Sequence, residues 1–190
     1  MEAFRHFLES FHPVPAEDWQ LLSAGLSVSP VKEGAVLLRE GKIARELYFI
    51  CDGILRLVKR TPEGEDITMF FLKENKCAVV LDSFSQEIPS QYSLEAACDA
   101  MVIALRKDYL LRLYEEIPYL RSLVDSITQQ GLLEKIHTRN AYMGLDATRR
   151  YQHFLEQEPD IVARVPLSDI ASFLGITQQS LSRIRKNLHT

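Results

Sequence analysis

Selective hydrogen-bonding groups concentrate in one stretch of this 190-residue sequence, VPLSDIASFLGITQQSLSRIRKNLHT at residues 165–190. Gln178 and Gln179 carry amides of the kind that pair bidentately with adenine, and Arg183 carries a guanidinium that matches guanine. Arg185 and Lys186 suit phosphates, Ser182 flanks them, and Thr177 can cap a helix whose free N–H groups would meet another phosphate. From Thr177 to Thr190 these three cations stand without a single acid. The net charge of the chain is −4, but a nucleic-acid reader needs only a local basic face. The chemistry implied is recognition of a nucleic-acid groove.

Other reactive groups do not assemble into a site. Cys51, Cys77 and Cys98 are odd in number, far apart and outside any CxxC spacing. Disulfides, zinc ligation and iron–sulfur ligation are therefore not expected. Free cysteines of this kind pack as small apolar residues, here in strands. The five histidines show no metal spacing, and His6, His12 and His137 are read as satisfied or exposed rather than as haem ligands. There is no nucleophile elbow, phosphate loop or HExxH motif, and Glu65–Asp66 sits in a turn, so an enzyme is not expected. No metal and no cofactor is expected either. An apolar fraction of 46% suits a packed core. No apolar run is long enough for a membrane span, and MEAFRHFLESFHPVP lacks a signal peptide's apolar stretch, which predicts a cytoplasmic protein.

The polar face needs elements to hold it. Ile170, Ala171 and Leu174 form the inner face of a short helix, Gly175 supplies a turn, and Ile176 plugs the angle. Leu181, Ile184 and Leu188 then recur at helical spacing as a second inner face, which turns Gln179, Arg183 and Lys186 outward. Upstream, Asp146 can cap a helix over ATRRYQHFLEQE that ends before Pro159, and Gly144 breaks the chain before it. PYLRSLVDSITQQGLLEKIHTRNAYM can run unbroken to Met143. Ile117, Leu120, Val124, Ile127 and Gly131 take coiled-coil spacing along it, which predicts a dimer seam. From Val28 to Leu105 short apolar runs alternate with turn residues, Pro62 and Gly64 marking a hairpin, which suggests an antiparallel barrel or sandwich. Phe4, Phe7, Leu8 and Phe11 place a helix near the start, and AEDWQLLSAGL a second.

These features together resemble the Crp–Fnr family of regulators. LLREGKIARELYFICDG, residues 37–53, is similar to the family's β-roll signature, with Gly41 and Gly53 bracketing the apolar quartet Leu47–Ile50. GITQQSLSRIRK resembles its recognition helix, and LDATRR its hinge. The resemblance implies an α+β chain. An N-terminal antiparallel β-roll, double-stranded β-helix or jelly-roll-like, is flanked by helices and followed by a long dimerisation helix and a C-terminal all-α helix-turn-helix domain. The expected divisions are 1–116 as a cyclic-nucleotide-binding-like effector domain, 117–143 as the dimerisation helix and 144–190 as the DNA-binding domain. By position, Gln178, Gln179 and Arg183 fall where the family makes its main base contacts. The implied partners are double-stranded DNA, a second copy of the chain and a small-molecule effector, with RNA polymerase a further candidate and no membrane. The alternative is a sensing or protein-interaction module whose DNA binding has degenerated.

Two departures from the family pattern bear on mechanism. Cyclic-AMP-responsive members carry a Gly-Glu pair for the ribose and, further on, an Arg for the cyclic phosphate. Extended without a gap from Gly64, the pair falls on Val79 and Val80 and the Arg on Ser90, followed by Gln91. The adenine contacts of the long helix fall near Lys135 and Ile136. Neither valine can accept the ribose bond and serine cannot pair with phosphate, so cyclic AMP is not the expected effector. The remaining effector pocket is placed at Val80, Leu81, Ser83, Ser90, Gln91 and Tyr92, either open to another small molecule or filled by side chains. The second departure is that the sequence reaches Thr190 directly after the recognition helix. Either the domain lacks the family's β-hairpin wing, with fewer phosphate contacts as a result, or the sequence is cut short of it.

Overall fold

The structure is a computed structural model that describes residues 1–188. His189 and Thr190, the end of the expected DNA-reading stretch, lie outside the described residues. Two short helices, α1 (Glu2–Glu9) and α2 (Ala16–Ala24), precede the strands β1 (Leu26–Val31), β2 (Val36–Leu38), β3 (Glu46–Asp52), β4 (Leu55–Arg60), β5 (Asp66–Leu72) and β6 (Cys77–Ala78). Helix α3 (Leu81–Gln86) interrupts before β7 (Ser93–Ala96) and β8 (Ala100–Arg106). Helices α4 (Lys107–Glu116), α5 (Leu120–Ala141), α6 (Ala147–Gln157), α7 (Pro159–Arg164), α8 (Leu167–Leu174) and α9 (Gln178–Leu188) complete the chain.

The strands form two four-stranded antiparallel sheets, ordered β1-β8-β3-β6 and β2-β7-β4-β5. Strand β3 shows why its apolar quartet has no polar alternation. Side chains point to opposite faces in turn, and both faces are covered. Tyr48 and Ile50 enter the interior of the roll with Leu55, Leu94 and Val102. Leu47 and Phe49 face outward, where Phe49 meets the rings of Phe4 and Phe7 at 4.9 and 5.2 Å. The β3–β4 turn requires glycine: Gly53 has φ +96°, and a Cβ there would lie 2.4 Å from Ala100 Cβ.

The long helix is present, but its apolar seam faces a different way from the sequence expectation. Ile117, which precedes α5, and Leu120 are buried in the chain's own core with Leu123, and Val124 and Ile127 pack against the same cluster. The spacing of these residues reflects packing of α5 on the roll and on α4, because the same periodicity serves an internal partner as well as an external one. The large apolar side chains that α5 leaves exposed lie further on, at Leu132, Leu133 (56% exposed) and Ile136 (55% exposed), with Met143 beyond its end. No helix among the described residues is long and apolar enough to cross a membrane.

Candidate nucleic-acid interface and effector clefts

The turn between α8 and α9 is fixed by backbone and side-chain hydrogen bonds. Gly175 takes φ +67° at the C-cap of α8, the left-handed conformation that glycine adopts most readily. Its N–H donates to Ser172 O at 3.1 Å and that of Ile176 to Ala171 O at 3.0 Å, so carbonyls at the end of α8 are satisfied. Ile176 packs half-buried on the domain core. Thr177 Oγ1 accepts from Ser180 N at 3.2 Å and opens α9. Arg150, from α6, donates from Nη1 to Leu174 O at 2.6 Å, putting a cation at the negative end of α8. Sequence reasoning missed Arg150. The available signal was an arginine beside the apolar face of Tyr151 and Phe154, which must find an acceptor.

Helix α9 buries Leu181 completely and packs Ile184 on the same core. Thr177, Gln178, Gln179, Ser182, Arg183 and Lys186 are exposed. Arg185 is the exception among the residues singled out: it is half-buried, beside Tyr151. Asn187, which follows Arg183 by one turn, is also exposed and was missed, although helical periodicity places it there. No acid lies between Thr177 and Leu188. A helix packed from behind thus carries amides, a guanidinium and a lysine on its exposed face.

Helix α8 also docks on the roll. Ser172 Oγ donates to Asp66 O and accepts from Thr68 N, both at 2.9 Å. Arg56 Nη1 pairs with Asp169 at 2.6 Å and its Nη2 with Glu95 at 3.0 Å, with 15–16% of each side chain exposed. Burial pushes the Asp169 carboxyl above the ordinary aspartate range, against the pull of Arg56. Arg164 pairs with Glu74 at 2.6 Å, and Glu74 also accepts from Gly53 N at 2.8 Å. Burial pushes the Glu74 carboxyl up, but these bonds and one from its own backbone outweigh it and hold the group below its ordinary range. Phe71 meets Phe173 and Phe154 at 5.5 and 6.2 Å, and Ile54, Ala97 and Cys98 join the same core as Ile170 and Leu174.

On the sensor side, a cleft of about 480 Å³ opens in the roll between Tyr48, Val80 and Leu94, with the exposed side chains of Arg39, Lys42, Arg45 and Arg106 among its borders. Of the six residues expected to form an effector pocket, Val80 lines this cleft. Leu81 lines a second cavity, between α5 and β5. Ser83 Oγ donates to Ile88 O at 2.7 Å and accepts from Ala44 N at 2.9 Å. Ser90 Oγ donates to Tyr92 O at 2.7 Å and accepts from Tyr92 N at 3.1 Å. Both serines are buried and act as internal staples, Gln91 is exposed, and Tyr92 is half-buried. His12 Nδ1 lies 2.7 Å from Pro13 O, with its ring stacked on Tyr119. Cys51 and Cys77 lie in β3 and β6, while Cys98 is buried in the β7–β8 turn. Burial pushes the Cys77 thiol up to about 12.

Comparison with known proteins matches the strand-rich part to a family and the chain to a known fold. Residues 28–116 match the cyclic nucleotide-binding domain family. The anaerobic regulatory protein of Bacillus subtilis (strain 168) is 26% identical over 97 residues, a stretch covering 51% of this chain and 41% of that protein. The chain thus matches less than half the length of this curated relative. Among solved structures, the c-di-GMP responsive global regulator CLP of Xanthomonas campestris superposes with a TM-score of 0.72 at 16% identity, over 92% of both chains. A chain from Eubacterium rectale assigned to the Crp/Fnr family gives 0.72 at 17% identity, over 95% of this chain and 88% of that one.

Proposed function

We propose, from the premise that residues 28–116 belong to the cyclic nucleotide-binding domain family and that the chain has the fold of Crp–Fnr regulators, that this protein is a homodimeric transcription regulator reading a two-fold DNA site through α9. The observation that carries the reading is the exposed, acid-free face of α9, held by the Gly175 turn, the Thr177 cap and the Arg150 clamp. Gln178, Gln179 and Arg183 supply base contacts, with Thr177, Ser182 and Lys186 on the backbone, while Arg185 is turned towards Tyr151. The second copy covers Leu132, Leu133 and Ile136 of α5, which continue the helix beyond the part buried by its own roll.

Cyclic AMP is not the signal in this reading. The positions that would hold the ribose and phosphate carry half-buried Val79, buried Val80 and Ser90, whose hydroxyl is already bonded twice. Binding of a palindromic duplex by fluorescence anisotropy tests the DNA half. Arg183→Ala should cost about 1–3 kcal/mol and relax specificity at one base position per half-site. Equal weakening on every sequence would reduce Arg183 to a phosphate contact. No sequence preference in the unmodified protein would favour a sensing or interaction module instead.

A further inference from the structure

A cavity of about 220 Å³ lies where three parts of the chain meet. Phe70 and Phe71 of β5 form one wall, Ile127 and Gly131 of α5 another, and Phe154 and Phe173 of the helix-turn-helix domain close the third. Three lysines and two glutamates also line it. Lys73 pairs with Glu158 at 2.7 Å, and Lys76 pairs with Glu134. Both carboxylates are thereby taken. Lys135 is half-buried, and its Nζ sits 5.7 Å from the centre of the Phe70 ring; among the described residues no carboxylate pairs with it. Burial holds its ammonium below the ordinary lysine range, and the face of the Phe70 ring compensates only in part for the lost water. An apolar chamber with one unmatched cation is complementary to one negative charge carried on an apolar body. The volume fits a body of roughly one aromatic ring with a short arm, since an apolar cavity of about 150 Å³ holds benzene.

We propose that this cavity binds a small organic carboxylate whose apolar body lies among the phenylalanines and whose charge is met by Lys135. Such a ligand touches β5, α5 and the helix-turn-helix domain together, so it binds the docked arrangement and not the undocked one. At a hundred times its dissociation constant it would favour docking about 100-fold. Binding to the cavity does not depend on the DNA-reading proposal.

Titration calorimetry on the full chain with benzoate, phenylacetate, 4-phenylbutyrate and octanoate, against phenylacetamide and phenethylamine, provides the test. At least one acid should bind below about 5 mM, and its amide and amine at least about tenfold more weakly. Lys135→Met keeps the apolar stem and removes the charge. It should weaken the acid at least about tenfold and leave the amide unchanged. Without ligand this variant should melt no lower than the parent, because a desolvated cation has been removed. Gly131→Leu, where an added side chain meets open space, should fill the cavity and abolish binding. The proposal is overturned if no acid binds, if acid and amide bind alike, if either variant leaves the acid's affinity unchanged, or if Lys135→Met lowers the melting temperature.

Discussion

Replacing Arg56 by methionine removes the cation that lies between Asp169 of α8 and Glu95 of β7, at 2.6 and 3.0 Å. The two carboxylates, each 16% exposed, would remain with only each other as charged neighbours within the trio. Removing one partner of a buried pair costs about 3–5 kcal/mol, because the other charge stays desolvated. At about 1.4 kcal/mol per factor of ten, even the lower figure enlarges the undocking constant about 150-fold. The Thr68 amide is a local reporter. It donates to Ser172 Oγ across the interface, beside an irregularity in the β4–β5 ladder at Leu57/Val58. Hydrogen exchange should therefore accelerate about 100-fold or more at Thr68, while amides of the β4–β7 ladder hold their rates. The triple variant R56M/E95Q/D169N, which leaves no charge in the trio, should recover most of the protection. Less than about a threefold change at Thr68, or equal acceleration across the β4–β7 ladder, would refute the idea that this trio holds α8 on the roll.

Four further outcomes follow. Gly175→Ala meets ordinary contact distance to Arg150 Nη1, 3.4 Å, so its cost is backbone strain at φ +67°; about 1–2 kcal/mol should appear as a fall of about 2–8 °C in melting temperature. Ile136→Glu puts a charge into the proposed dimer contact and should raise the dimer dissociation constant at least about 100-fold in sedimentation equilibrium. Cys77, whose thiol burial raises to about 12, should react with iodoacetamide at pH 8 at least about 100-fold more slowly than after unfolding. Cyclic AMP at about 1 mM should leave the melting temperature within about 1 °C of the free protein.

Much of this was legible in the sequence because several local signals agreed. Gly175, Thr177 and the apolar spacing of Leu181 and Ile184 each specify the same turn and helix, and the structure forms it. The β4–β5 hairpin was equally open, with Gly64 at φ +89° in its turn. Periodicity gave α5 but not its partner: the spacing of Leu120, Val124 and Ile127 cannot say whether a helix meets its own roll or a second chain. Helix α7 was missed because Pro159 reads as a stop, whereas here it stands at a helix N-terminus, where its missing N–H costs nothing. The docking of α8 on β5 was not legible at all, since Ser172, Asp169 and Arg56 are ordinary surface types until the fold joins them.

In the proposed mode α9 reads DNA sequence from a two-fold molecule. Selection of the purified full chain against a random duplex library tests it most directly. An inverted repeat whose half-sites lie about one helical turn apart, roughly 10–10.5 base pairs, should be enriched. That enrichment should be lost at one position of each half-site when Arg183 is alanine. A library that emerges without any preferred sequence, or with a preference that the Arg183→Ala protein shares unchanged, would contradict it.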